Sequence, residues 1–324
     1  RHREPGSKGH VGPVRIGLRV VVMARVLERA VLAVSFTAAL LAGAWRALDP
    51  FWNWDMLPYM AAAAELDGAP PARSHAIAYT AAQMQVPAEH YRVLVDPDNQ
   101  YRSALAQDPS AFADQLPFYW IKPLYIALVW CAWKSGASLA WATVLPSLAG
   151  FATLCTVLFA WVIHRVGRAM VLPAVAGFFF LPQVNEVAGL STPDALSSAL
   201  LVAGTFLLHA SGRPASGLLV LVLAITARMD NVLLVMPVIA TQPWCRPDHP
   251  LSTRWIAGGT IAAILTYLGV RAIGCTHGWC VAPGHAFLPR SLHPQSEPVQ
   301  WTVAEPISSG GEPARTRSLS CKTA

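Results

Sequence analysis

Long apolar runs separated by short polar segments dominate the hydrophobic pattern of the chain. The runs Ala30–Trp45, Leu139–Ile163 and Trp255–Ile273 contain at most one charged residue each. Their lengths approach the roughly 20 residues that a helix needs to cross a bilayer. Because the apolar residues are continuous instead of alternating, the pattern predicts membrane-spanning helices and excludes the strands of a barrel.

Shorter apolar runs predict further spans at Ala169–Leu181 and Ala195–His209. The run from Ser216 to Met236 has two interpretations. A single helix would hold Arg228 and Asp230 in mid-membrane, at about 3 kcal/mol for each charge. Two short helices could instead meet at these charges on the outer face. The second interpretation is favoured, and it predicts an all-α, multi-pass transmembrane bundle of about seven spans.

A long polar segment follows the first apolar run. Between Arg46 and Trp120 it holds nine acidic residues against four Arg, and we assign 46–137 as the first extracytoplasmic loop. Loops of this length without a role are uncommon. Met56–Leu66 is Ala-rich and predicts a helix. Leu124–Trp133 is too short to span and, being rich in Tyr and Trp, predicts a helix lying at the membrane interface.

The two ends of the chain differ in character from its middle. Residues 1–22 are polar, Gly-rich and basic, and Met23 is the expected start of a membrane module covering 23–282. The first run ends in Ala42–Ala44, which is similar to a cleavage site, but an uncleaved anchor is favoured because further spans follow. Residues 283–324 are rich in Pro, Ser, Glu and Arg, so their composition predicts a disordered or frameshifted tail.

Composition and charge narrow the class of protein. The chain of 324 residues is 54% hydrophobic and 13% charged, against roughly 25% charged in soluble domains. Its net charge of +6 comes from the N-terminus and short loops, as the positive-inside rule expects. The sequence has no basic, aromatic-interleaved soluble face, which argues against nucleic-acid binding. Short inner loops and the Ala-, Arg- and Pro-rich composition indicate a bacterial inner membrane.

The cysteines leave one question open. Cys275 and Cys280 bracket a Thr-His-Gly-Trp segment at a predicted outer loop end. A local disulfide is one interpretation. A metal site is less favoured, because only His277 stands near enough in sequence to serve as a further ligand.

Candidate chemistry begins at the aromatic stretch Phe51–Tyr59, which contains Asp55. Aromatic residues of this kind prefer a membrane–water boundary. A carboxylate held there could take a proton from a hydroxyl or bind a divalent metal ion. The alternative is an ordinary solvated loop acid.

Several short motifs, in this order and on one predicted face, carry a family resemblance. They are Asp55 with Tyr59 and the helix containing Glu65, then Lys122–Tyr125, then Thr192–Leu196 and, more weakly, Ala227–Asn231. With these motifs the chain resembles the polytopic, lipid-phosphosugar-dependent glycosyltransferases of the GT-C superfamily, in particular the aminoarabinose transferase and protein O-mannosyltransferase types. The resemblance covers about residues 25–275, the N-terminal module of that family.

The resemblance implies a membrane enzyme that transfers a sugar from a polyprenyl phosphate to an acceptor hydroxyl of a lipid, glycan or protein at the extracytoplasmic face. Met56 stands where many members carry a second acid, and the further C-terminal spans usual in the family are missing. A multi-pass transporter or lipid carrier is the alternative, with Arg228 and Asp230 lining its path. An inactive remnant of the family is a third interpretation.

With the resemblance, each charged residue has an expected role and an ordinary alternative. Asp55 is the expected general base, or the ligand of a metal ion if the site binds one. Asp194 is expected to be a second acid of the site; the alternative is that Asp194 only stabilises a helix N-terminus. Lys122 and Arg228 are expected to bind the donor phosphate, unless Lys122 snorkels and Arg228 only pairs with Asp230. Secondary candidates are Glu65, Tyr59, Glu186 and Asp230. The aromatic residues Tyr59, Tyr119 and Trp120 are more typical of an interfacial belt than of a sugar-stacking platform.

Overall fold

Helices make up most of the chain in the computed structural model, which describes residues 13–165, 186–245, 251–274, 299–304 and 316–321 and the single positions 167, 173, 177, 184 and 292. The helices are α1 (Pro13–Leu48), α2 (Met56–Leu66), α3 (Pro71–Gln85), α4 (Ala88–Val95), α5 (Gln100–Gln107), α6 (Pro109–Ala113), α7 (Pro117–Trp120), α8 (Pro123–Lys134), α9 (Leu139–Arg165), α10 (Asp194–Thr205), α11 (Pro214–Ala227), α12 (Val232–Cys245) and α13 (Thr253–Gly274). The predicted all-α class is therefore confirmed at the level of helical architecture.

Among the residues that the structure describes, three helices are long and apolar enough to cross a membrane: Arg29–Leu48 within α1, α9 and α13. Large apolar side chains such as Leu41 on α1 and Leu265 on α13 are exposed, as expected of surfaces that contact lipid. Two shorter apolar helices are Asp194–Ala210 and Pro214–Ala227. The 14 residues of α11 extend about 21 Å, less than the roughly 30 Å of a bilayer core. The predicted total of about seven spans stays a prediction.

The largest apolar core lies in the segment that the sequence assigned to the first loop. It brings together α2, α3, α8 and the beginning of α9 around fully buried residues such as Tyr59, Phe112 and Tyr125. Helix α2 has the predicted bounds and buries nearly all of its length, because its Ala residues let neighbours approach closely. A helix is present at the predicted place as α8, and it buries Ile126 and Val129 against this core; its position at the membrane interface stays a prediction.

A second apolar core joins α10, α11, α12 and α13 around Leu221, Ile225 and Ile239. Helix α11 ends at Ala227, and a 3-10 turn over Met229–Asn231 precedes α12. The interpretation of 216–236 as two short helices is therefore confirmed. Arg228 and Asp230 lie at the break, where a continuous helix would hold both charges inside an apolar run.

Regular secondary structure is found near both ends of the chain. Helix α1 begins at Pro13, so the predicted boundary after residue 22 falls inside it. In the predicted disordered tail, Val299–Ala304 pairs antiparallel with Thr316–Cys321. The alternation of Val299, Trp301 and Val303 is a strand signal that the surrounding Pro- and Ser-rich composition obscured. Cys275 and Cys280, like most of the predicted span 169–181, lie outside the described residues.

Candidate functional site

The stretch that carries Asp55 is hydrogen-bonded to the residues that precede α10. The backbone N–H of Phe51 donates to the carbonyl of Gly189 at 3.0 Å. The N–H of Asn53 donates to the hydroxyl of Ser191 at 3.3 Å. Asp55 directly precedes Met56, the first residue of α2, so its carboxylate lies at the positive end of a helix. These contacts bring the beginning of α2 and the beginning of α10 to the same place.

Tyr119 is the direct partner of Asp55. Its phenol donates a hydrogen bond of 2.9 Å to Oδ1 of Asp55. The Tyr119 ring packs edge-on against that of Tyr59, with centroids 5.1 Å apart. Burial, and after it the charge of Asp55, raises the pKa of Tyr119 well above its ordinary value. The phenol therefore stays protonated at neutral pH and acts as a donor to the carboxylate.

Lys122 lies between the same two tyrosine rings. Its ammonium donates to the phenolic oxygen of Tyr59 at 2.7 Å and stands 5.2 Å and 5.1 Å from the ring centroids of Tyr59 and Tyr119. Such cation–π contacts stabilise a cation that has lost part of its water shell. Burial lowers the pKa of Lys122, while the charge of Asp55 acts in the opposite direction.

Arg228 is held between two carboxylates. Its Nε and Nη2 donate to the two carboxylate oxygens of Asp230 at 3.1 Å and 2.9 Å, and its Nη1 donates to Asp194. Asp194 also accepts a hydrogen bond of 2.6 Å from the hydroxyl of Thr192. Hydrogen bonding to Asp230 is the main cause that raises the pKa of Arg228.

These residues are close enough to act on one another electrostatically. The charges of Asp55, Asp194 and Arg228 all act on the buried phenol of Tyr59. Those of Asp55, Arg228, Asp194 and Asp230 all act on Lys122. We call the set Asp55, Lys122, Asp194, Arg228 and Asp230 the charged cluster. The structure thus brings the four primary candidate residues, and Asp230 with them, within electrostatic reach of Tyr59 or Lys122.

Two secondary candidates lie outside the charged cluster. Glu65 lies near the far end of α2, about 15 Å along the helix axis from Asp55, and accepts hydrogen bonds from Trp120 and Ser74 at 3.1 Å and 3.3 Å. Burial raises the pKa of Glu65. Glu186 is exposed and directly precedes the 3-10 turn Val187–Gly189. Neither acid shares the environment that the cluster gives to Asp55.

The scaffold behind the cluster depends on close packing of α9 against α10. A Cβ on Gly150 would lie 2.6 Å from the backbone nitrogen of Leu196. The hydroxyl of Ser147 donates to the carbonyl of Thr192 at 2.7 Å. On the other side, the buried amide of Asn231 donates to Ser197 at 2.8 Å. These contacts fix the positions of the residues around Asp194 and Arg228 relative to each other.

Tyr119 is the site residue that reasoning from the sequence missed, because it was interpreted as an interfacial aromatic. The signal that could have identified it is its place three residues before Lys122. Residues at that spacing across a tight helical turn lie on the same side of the chain. Its partner Asp55 is 64 positions away, and no local sequence pattern indicates that the two residues meet.

The donor set does not fit the divalent metal ion that the sequence allowed at Asp55. Within the described part of the chain, no group of three His, Cys, Asp or Glu side chains could hold a metal ion. Asp194 and Asp230 both bind the guanidinium of Arg228, and Lys122 stands beside Asp55. Arg228 already binds two of the three carboxylates of the charged cluster, and Asp55 by itself offers too few ligands for a divalent ion.

An apolar cavity of about 400 Å³ opens between α3, α8 and α9. Its lining includes Ile77, Met84 and Trp133, with Arg73 among the few polar residues. No residue of the charged cluster lines it. The cavity is therefore separate from the candidate site.

Comparison with known proteins adds no family to these observations. No protein-family model, no curated protein and no solved structure matches the chain.

Proposed function

We propose that the protein is a membrane glycosyltransferase that moves a sugar from a polyprenyl-phosphate donor to an acceptor hydroxyl. The observation that carries the proposal is the charged cluster itself. It combines one carboxylate supported by a phenol, Asp55, with two cations, Lys122 and Arg228, in a partly buried setting. Glycosyl transfer from a lipid phosphate needs both a base for the acceptor and fixed positive charge for the leaving phosphate.

The reaction assigns a separate task to each part of the cluster. Asp55 takes the proton of the acceptor hydroxyl as the acceptor oxygen forms a bond to the anomeric carbon. The bond between that carbon and the phosphate oxygen breaks, and the polyprenyl phosphate leaves with the electron pair. Lys122 and Arg228 stabilise the negative charge that the phosphate gains. Asp194 orients Arg228, and the carboxylates also stabilise an oxocarbenium-like transition state.

The ammonium of Lys122 is suited to the incoming phosphate. Among the described residues its contacts use one hydrogen bond donor, toward Tyr59, and an ammonium has three. The remaining donors are available to an anion that enters the cluster. Because burial strengthens electrostatic interactions, a phosphate bound there would gain more from Lys122 than from a solvated surface lysine.

The membrane setting belongs to the same proposal. About seven spans would place the charged cluster at the extracytoplasmic rim of a bacterial inner membrane, where a lipid-linked donor is accessible. Support comes from the helix ends: α11 ends and α12 begins at the cluster, and α10 begins there. Gly274, the last residue of α13, lies against the backbone of Trp120 and Ile121. Helix ends that alternate in this way are expected of successive crossings.

Transfer of label from a polyprenyl-phosphate sugar to candidate acceptors, measured with the purified protein, tests the proposal. The Asp55→Asn variant should lose about 10²- to 10⁴-fold in rate, the contribution of a general base, with its membrane abundance unchanged. Asp49→Asn is the matched control, because Asp49 is exposed six residues earlier and should retain full activity.

Full activity of Asp55→Asn would remove the assignment of Asp55. If the protein moves labelled lipid between the leaflets of a vesicle but transfers no sugar, the transporter or lipid-carrier interpretation replaces the enzyme.

A further inference from the structure

Three of the five N–H groups of the Arg228 guanidinium donate to carboxylates of the protein. Asp230 binds Nε and Nη2 through both carboxylate oxygens, and Asp194 binds Nη1. A phosphate could not form a two-point contact with the Nε–Nη2 edge of Arg228 while Asp230 stays in place. This edge of the guanidinium is therefore closed to the anion that Arg228 is proposed to bind.

The two carboxylates are held in different ways. Asp194 is the first residue of α10 and accepts a second hydrogen bond from Thr192. Asp230 belongs to a short 3-10 turn, and its side chain is 61% exposed against 41% for Asp194. Exposed ion pairs contribute little to stability. Asp230 is therefore the carboxylate that a ligand can displace, whereas Asp194 remains as the support of Arg228.

The contact between Asp230 and Arg228 has the same two-point geometry as a contact between an arginine and a bound anion. Two parallel hydrogen bonds from a guanidinium to a carboxylate are the geometry that Arg also uses for a phosphate. The fork of Arg228 is occupied by Asp230, the more exposed of its two carboxylate partners. The carboxylate of Asp230 thus stands where a phosphate group from outside the protein would bind.

We propose that Asp230 is a built-in competitor of the donor: its carboxylate occupies the guanidinium fork of Arg228, and the phosphate of an isoprenyl-phosphate ligand binds by displacing it. This inference rests on the proposed function. It adds a selection step, because an entering group must offer two anionic oxygens in place of those of Asp230. Uncharged lipids and single-point anions would leave the pair closed.

Binding of a short-chain isoprenyl monophosphate to the full-length protein in nanodiscs, measured by titration calorimetry, tests this inference. Asp230→Asn should lower the Kd of the isoprenyl monophosphate about 2- to 5-fold, the equivalent of removing one exposed ion pair. Binding of the matching isoprenol, which has no phosphate, should not change. Asp194→Asn should raise the Kd for the phosphate, since Arg228 then loses its support.

Asp98→Asn is the control for a lost surface charge, because Asp98 is exposed outside the cluster. It should leave both Kd values as they are. Asp230→Ser provides a second neutral variant, and thermal unfolding of each variant verifies that it is folded.

An unchanged or higher Kd for the phosphate in both Asp230 variants would overturn the competitor role, while binding by the wild-type protein would leave the proposed function standing. If neither the wild-type protein nor any variant binds the isoprenyl monophosphate, the proposed function itself fails.

Discussion

At the scale of single residues, the environment of Lys122 decides how the candidate site responds to pH. The ammonium is enclosed by the rings of Tyr59 and Tyr119 and hydrogen-bonded to one of them. Burial disfavours the charged form, so the pKa of Lys122 lies below the ordinary value of 10.5. Asp55, Asp194 and Asp230 act against this effect, and Arg228 adds to it. Lys122 therefore loses its proton at a lower pH than a solvated lysine does.

This lowered pKa predicts an alkaline limb in the pH–rate profile of sugar transfer. As the pH rises through the pKa of Lys122, the site loses one of the cations that stabilise the leaving phosphate, and the rate should fall. In Lys122→Arg the charge persists above pH 12, so the limb should move to higher pH. Lys122→Met should be slow at every pH.

Lys134→Arg is the control for this profile, because Lys134 pairs with Asp67 on the surface, away from the cluster. A limb that stays in place in Lys122→Arg would show that another group titrates there.

At the scale of elements, the close approach of α9 and α10 positions Asp194. Gly150 lies against the backbone of Ala195 and Leu196, the residues that follow Asp194. A Cβ on Gly150 would stand only 2.6–2.7 Å from these backbone atoms. Backbone atoms cannot move aside without shifting a helix. One turn earlier on α9, the hydroxyl of Ser147 donates to the carbonyl of Thr192, two residues before α10 begins. The geometry of the acid at the site therefore depends on a glycine on another helix.

Gly150→Ala should separate these helices and lower the Tm of the protein in detergent. Overpacking of this kind typically costs about 1–3 kcal/mol, and the rate of transfer should fall with it, since Asp194 moves. Gly258→Ala is the matched control. Gly258 is also within an apolar helix, but a Cβ there meets nothing within 4 Å.

The control should be neutral or slightly stabilising, because Ala favours a helix by up to about 1 kcal/mol over Gly. Equal Tm values for the two variants would mean that α9 and α10 can adjust without cost.

At the scale of the whole molecule, the charged cluster marks one side of the helix bundle, and the helix ends away from the cluster mark the other side. Asp230 lies at the junction of α11 and α12, and Ser211 lies just before α11 begins. One apolar helix separates these two exposed positions. If α11 crosses the bilayer, as the proposed topology requires, the two positions face different compartments.

Single cysteines at Glu89, Asp230 and Ser211, in a background without native cysteines, test this topology in intact cells. A membrane-impermeant maleimide should label positions 89 and 230 from outside, and position 211 only after the membrane is permeabilised. All three positions are exposed in the structure, so weak labelling would reflect the bilayer and not burial. Labelling of 211 and 230 from the same side would rule out the proposed arrangement of spans.

What could be predicted from the sequence is local. Helix α2 has its predicted bounds because an Ala-rich run ends at Gly68 and the prolines that follow. The break at Arg228 was predictable because two charges within an apolar run cost too much inside a membrane-spanning helix. The candidate residues Asp55, Lys122, Asp194 and Arg228 were identifiable because they lie in short motifs at the ends of predicted spans. Propensity and hydrophobic pattern act over a few residues, so these features are contained in the sequence itself.

Only the tertiary structure decided which of these residues meet. Tyr119 and Asp55 are 64 positions apart, and Arg228 and Asp194 are 34 positions apart. The same local patterns are compatible with Glu65 or Glu186 at the site, yet packing directs Glu65 toward Trp120 and leaves Glu186 exposed. Such pairings depend on how side chains of separate helices fit together. The periodicity of the sequence does not predict that fit. The chemistry available to this protein was present in its sequence, but the partner of each charge was set by close packing between distant helices.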